Sequence, residues 1–76
     1  MPTAFVFINS EMGHDDEVLK ELRKVEGVKE AYFVYGIYDV VVKVEADTAD
    51  KLKDIITRKI RRMKSVRSTL TMIVIS

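Results

Sequence analysis

Three features of the chain predict an α+β fold of the ferredoxin-like βαββαβ kind. Four apolar runs rich in β-branched and aromatic residues, at 3–8, 28–35, 38–44 and 68–75, read as strands. Two stripes of apolar residues at helical spacing lie between the first and second runs and between the third and fourth. The two middle runs meet at Gly36, which reads as the tight turn of a β-hairpin. The expectation is an antiparallel four-stranded sheet with both helices on one face.

In the first strand, Phe5 and Phe7 point one way and Ala4, Val6 and Ile8 the other. A strand apolar on both sides needs cover on both. A polar loop follows at 9–13, and Asp15 or Asp16 is expected to accept hydrogen bonds from the free N–H groups of the first helix. Val18, Leu19, Leu22 and Val25 form its stripe, and Gly27 ends it in a left-handed conformation. The second strand alternates Ala31 and Phe33 with Tyr32 and Val34. Gly36 can take a positive φ, and Tyr35 and Tyr38 flank it. In the third strand, Val40, Val42 and Val44 oppose Asp39, Val41 and Lys43. Asp47 and Asp50 form a weak capping box before the second helix, whose stripe is Leu52, Ile55, Ile56, Ile60 and Met63. The last strand sets Leu70, Met72 and Val74 against Thr69, Thr71, Ile73 and Ile75.

Two helices cover one face of such a sheet, and the second face is apolar in all four strands. Left bare, it is a patch larger than monomers usually tolerate. A partner is expected to cover it, most simply a second copy in a two-fold dimer, which makes the pair an α/β barrel-like assembly.

Seventy-six residues make a single domain, 1–76, near the lower limit for a self-sufficient core. The absence of cysteine excludes disulfides and thiolate metal sites. No apolar run approaches the roughly 20 residues of a membrane span, and the N-terminus lacks a secretory signal, so a cytoplasmic protein is expected. Thirteen basic against twelve acidic residues give a formal charge of +1, too balanced to point to nucleic acid or membrane. His14, Asp15 and Asp16 are consecutive at a helix start and read as capping residues rather than metal ligands. No metal or cofactor is expected.

The hairpin Tyr35-Gly36-Ile37-Tyr38-Asp39, the strand after it, and the closing Val66-Arg67-Ser68-Thr69-Leu70-Thr71-Met72-Ile73-Val74 resemble the effector-binding domain of the Lrp/AsnC, or feast/famine, regulators. The passage Gly27-Val28-Lys29-Glu30-Ala31-Tyr32 is similar too. The resemblance spans essentially the whole chain. It implies dimers paired through their sheets, assembly into rings such as octamers, and an amino-acid effector bound between dimers. Carried onto matching positions, it places the ligand at Gly36, Asp39, Thr69 and Thr71, with Tyr35 and Tyr38 nearby. Typical members begin with a helix-turn-helix domain. The 76 residues hold none, so the resemblance is to the stand-alone form, without direct DNA binding and acting with full-length Lrp/AsnC regulators.

Those residue types suit an α-amino acid. Asp39 can accept a charge-assisted hydrogen bond from the ammonium, while backbone N–H groups at Gly36 and the hydroxyls of Thr69 and Thr71 can hold the carboxylate. A plain structural reading stands beside this one, with Asp39 paired to Lys43, the threonines present for β-propensity and the tyrosines for packing. An ACT-like amino-acid-binding module is the nearest alternative. A small ferredoxin-like enzyme is disfavoured by the lone histidine and the lack of paired carboxylates. An RNA-binding module is disfavoured because the third strand has no aromatic platform for stacking bases.

Overall fold

Alternation in the first strand sets the layers. The computed structural model describes residues 1–75. In it, β1 (Thr3–Ser10) buries Ala4, Val6 and Ile8 completely and turns Phe5 and Phe7 to the opposite side. The chain continues through α1 (Asp15–Lys24), β2 (Val28–Phe33) and β3 (Val40–Glu45). It then forms α2 (Ala49–Asp54), which runs on as a π-helical segment (Ile55–Ile60), and closes with β4 (Val66–Ile73). The four strands form one antiparallel sheet in the order β2-β3-β1-β4, the ferredoxin-like arrangement.

Register decides which side chains share a face, because directly paired residues point the same way. Ala4, Val6 and Ile8 oppose Val44, Val42 and Val40 of β3, and with Ala31 these residues line the helix side. Val18, Leu19 and Leu22 of α1 and Leu52, Ile56 and Ile60 of the second helix close the core over them. On the other face, Phe5 and Phe7 sit between Lys43 and Val41 of β3 and Met72 and Leu70 of β4, with Tyr32 beside Val41. Phe5 is 37% exposed, Leu70 44%, Met72 46% and Tyr32 53%. The chain's own helices leave this apolar face open to solvent.

Local chemistry departs from the sequence reading in four places. The middle strands are joined not by a tight turn but by six residues, 34–39, closed by a hydrogen bond from the Val34 N–H to the Asp39 carbonyl at 2.9 Å. His14, rather than either aspartate, occupies the N-cap of α1 and makes no side-chain capping bond, while Asp15, Asp16 and Glu17 sit in the first turn, where the helix dipole favours negative charge. Thr48, not Asp47, caps α2, its hydroxyl accepting the Lys51 N–H at 3.1 Å. The second helix widens after Asp54, as the bond from the Arg61 N–H to the Ile56 carbonyl shows. In a regular helix, residues four apart drift by about 40°, so Leu52, Ile56 and Ile60 would spread over about 80°. A wider turn holds the three on one buried line.

Gly27 and Gly36 both have positive φ, +99° and +138°, but for different reasons. A Cβ at Gly27 would lie 2.7 Å from Ile55 Cδ1 and 3.0 Å from the Glu45 carbonyl oxygen, whereas one at Gly36 would meet open space. Gly27→Ala therefore combines backbone strain with a clash and is expected to cost about 2–4 kcal/mol; Gly36→Ala, which strains the backbone alone, about 1–2 kcal/mol. Urea unfolding at equal protomer concentration checks the order of the two losses.

Candidate functional site

The site grows from the end of β1. The alternation that buries Ala4, Val6 and Ile8 continues to Ser10, which is 5% exposed and is the buried polar side chain of the core face. Its N–H donates to Asp39 Oδ2 at 3.0 Å, and its hydroxyl donates to Asp15 Oδ1. One serine thus holds two carboxylates from distant parts of the chain. Asp39 is fixed further by its own backbone, its N–H donating to the Ile8 carbonyl at 2.9 Å and its carbonyl accepting from Val34. The pairing of Asp39 with Lys43 does not form, because Lys43 lies between Glu30 at 3.7 Å and Glu45 at 3.5 Å.

Asp39 stands between two surface concavities. One, of about 520 Å³, is bounded by Asp15, Asp16, Phe33, Tyr35 and Asp39. The other, of about 550 Å³, is bounded by Ser10, Met12, Asp15, Ile37, Asp39 and Arg67. Both volumes fall in the range of small-ligand sites.

The remaining expected site residues distribute unevenly around this centre. Gly36 is exposed in the 34–39 connection, three residues before Asp39, and Tyr35 stands fully exposed beside it. Tyr38 turns back onto the open sheet face, where its ring meets Phe7 edge-to-face at a centroid distance of 5.7 Å. Thr69 and Thr71 oppose Ile8 and Val6, on the helix side of the edge strand β4. Since Ile8 also opposes Val40, β1 separates the threonines from the hairpin by two strand spacings, about 10 Å. Within one chain, Gly36 and Asp39 are neighbours and the two threonines form a separate group.

Ser10 and Arg67 are the residues that sequence reasoning missed. Residues 9–13 read as a polar loop, yet extending the period-two pattern from Ala4, Val6 and Ile8 lands on Ser10 and would have found it. On the open face, the Tyr32 hydroxyl donates to Glu30 Oε1 at 2.6 Å, and that carboxylate holds the phenol above its usual pKa of 10. Among the described residues, no group of three His, Asp or Glu side chains is arranged to hold a metal ion, and no helix is long and apolar enough to cross a membrane.

The sheet thus has one covered and one open apolar face, and a carboxylate is fixed beside two surface concavities. The model of the Lrp/AsnC ligand binding domain matches residues 3–76, and the chain belongs to that family. It is 35% identical over 74 residues to the uncharacterized HTH-type transcriptional regulator PF0250 of Pyrococcus furiosus, covering 93% of this chain and 49% of that protein. The chain thus spans about half the length of this curated relative. It is 45% identical over 58 residues to homocitrate synthase of Saccharolobus solfataricus, 76% of this chain and 12% of the enzyme. The crystal structure of FFRP-DM1 superimposes with a TM-score of 0.95 at 48% identity, covering 99% of this chain and all of that one. Family and relatives together support a regulatory, effector-binding role.

The anchoring of Asp39 separates its structural contribution from its charge. Asp39→Ala removes the acceptor of the Ser10 N–H and is expected to cost about 1–3 kcal/mol in chemical denaturation. Asp39→Asn keeps an oxygen acceptor there and is expected to cost under about 1 kcal/mol.

Proposed function

We propose that this chain is a non-catalytic amino-acid sensor and oligomerisation domain. Two copies pair through the open face of the sheet, and the dimers build a larger assembly such as an octamer. The domain modulates transcription by joining full-length Lrp/AsnC regulators, with no DNA contact of its own. The ligand is a free amino acid held at Asp39 and Gly36, with Tyr35 and Tyr38 at the margin and Thr69 and Thr71 supplied from an adjoining subunit.

The observation that carries this reading is the carboxylate of Asp39, fixed by Ser10 and by two backbone bonds at the wall of two ligand-sized concavities. A pre-positioned carboxylate takes an ammonium without the entropy cost of ordering a free side chain. Because the threonines are set apart from Asp39 within a chain, a ligand touching both groups must bridge subunits, and its binding then favours the assembled state. The likeness to 12% of a homocitrate synthase fits a regulatory appendage better than a catalytic unit.

Calorimetric titration of the parent protein with each of the 20 common amino acids tests the reading. At least one is expected to bind, and Asp39→Asn, which keeps the fold, is expected to weaken it about 10–100-fold, the value of a charge-assisted hydrogen bond. Thr71→Val is expected to weaken it by less, about 3–10-fold. If no amino acid binds, or if Asp39→Asn binds as tightly as the parent, the reading is wrong.

A further inference from the structure

The register of β1 against β4 contains one irregularity, and it lies at the candidate site. Asn9 pairs with Ser68, but Ser10 pairs with Val66, so Arg67 is an extra residue in β4 with no partner across the ladder. A bulge of this kind breaks the alternation of side chains and re-aims the one it carries. Arg67 lines the 550 Å³ concavity that Asp39 and Asp15 also line. Among the described residues, Arg67 forms no ion pair, in contrast to Arg58, which pairs with Asp54 at 2.8 Å. Both carboxylates are held through Ser10, the residue on the other side of the same irregularity.

The concavity is therefore lined by two carboxylates that Ser10 holds, by the basic residue Arg67, and by the apolar residues Met12 and Ile37. That is the charge pattern of a zwitterion. A guanidinium offers a planar fork that matches a carboxylate with two parallel hydrogen bonds, a geometry hydroxyls cannot supply. The threonines cannot take this role within one chain, because β1 lies between them and the hairpin.

Resting on the reading of Asp39 as the ammonium acceptor, we propose that Arg67 anchors the α-carboxylate of the ligand, and that the site selects free α-amino acids over those with a blocked carboxyl. Ser10 is the positioning residue for the acidic side, and the bulge at Arg67 positions the basic side. The two charges of the ligand thereby measure the distance across the end of β1.

Titration calorimetry with L-leucine, L-glutamine, L-lysine and L-aspartate, each beside its α-carboxamide, tests the proposal. The parent is expected to bind at least one of these acids about 10–100-fold more tightly than its amide. In Arg67→Met, affinity for the acid falls to that for the amide, while affinity for the amide stays within about threefold of the parent value. Arg67→Lys restores part of the preference for the acid, because it returns the charge without the fork. Arg67 is exposed, so sedimentation and circular dichroism of both variants are expected to match the parent. An Arg67→Met protein that still prefers acid over amide overturns the proposal. If that variant is unaffected while Asp39→Asn loses binding, Arg67 is excluded and the Asp39 reading stands. If the parent binds none of the 20 common amino acids, both fall.

Discussion

The fold depends on a mismatch of areas. Two helices can shield one face of the four-stranded sheet, and this chain makes both faces apolar. The even-numbered residues of β1 and β3 go under the helices and supply the core, so nothing further within the described residues can move to the other side. Phe5, Phe7, Tyr32, Leu70 and Met72 are left on an open surface that also carries Glu30, Lys43 and Glu45. Burying it returns about 25 cal/mol for each Å² of apolar area removed from water, a meaningful addition for a core this small.

The same strand that divides the faces also builds the site. β1 is bounded by β3 on one side and β4 on the other, so its C-terminal end is where the hairpin connection, the start of α1 and the start of β4 converge. Ser10 sits at that convergence and ties Asp39 and Asp15 to it. The carboxylate of Asp39 therefore has a structural task, satisfying a backbone N–H at a strand end, and a charge presented to the surface. Oδ2 accepts from Ser10, and Asp39 lines both concavities.

Much of the architecture was legible because burial imposes a strict period on strands. The alternation of Phe5 and Phe7 with Ala4, Val6 and Ile8, and of Val40, Val42 and Val44 with Val41 and Lys43, specifies faces and layer count without any three-dimensional information. What the pattern did not contain is set by contacts between distant segments. The six-residue connection at 34–39 is held by Asp39, whose partners Ile8 and Ser10 lie some thirty positions earlier in the chain. The widened turn after Asp54 answers to packing of Ile56 and Ile60, and the bulge at Arg67 to the register of two strands joined through the whole molecule. Gly36 and Asp39 were identifiable as a local unit, while their separation from Thr69 and Thr71 by β1 follows only from strand order.

The central claim is that a second copy of this chain covers the open sheet face. Sedimentation velocity of the parent at micromolar concentration, beside Leu70→Asp, tests it most directly. The account predicts a dimer or larger species for the parent and a shift toward the monomer, with loss of thermal stability, when a charge is placed on that face. A parent protein that sediments as a well-folded monomer would contradict it.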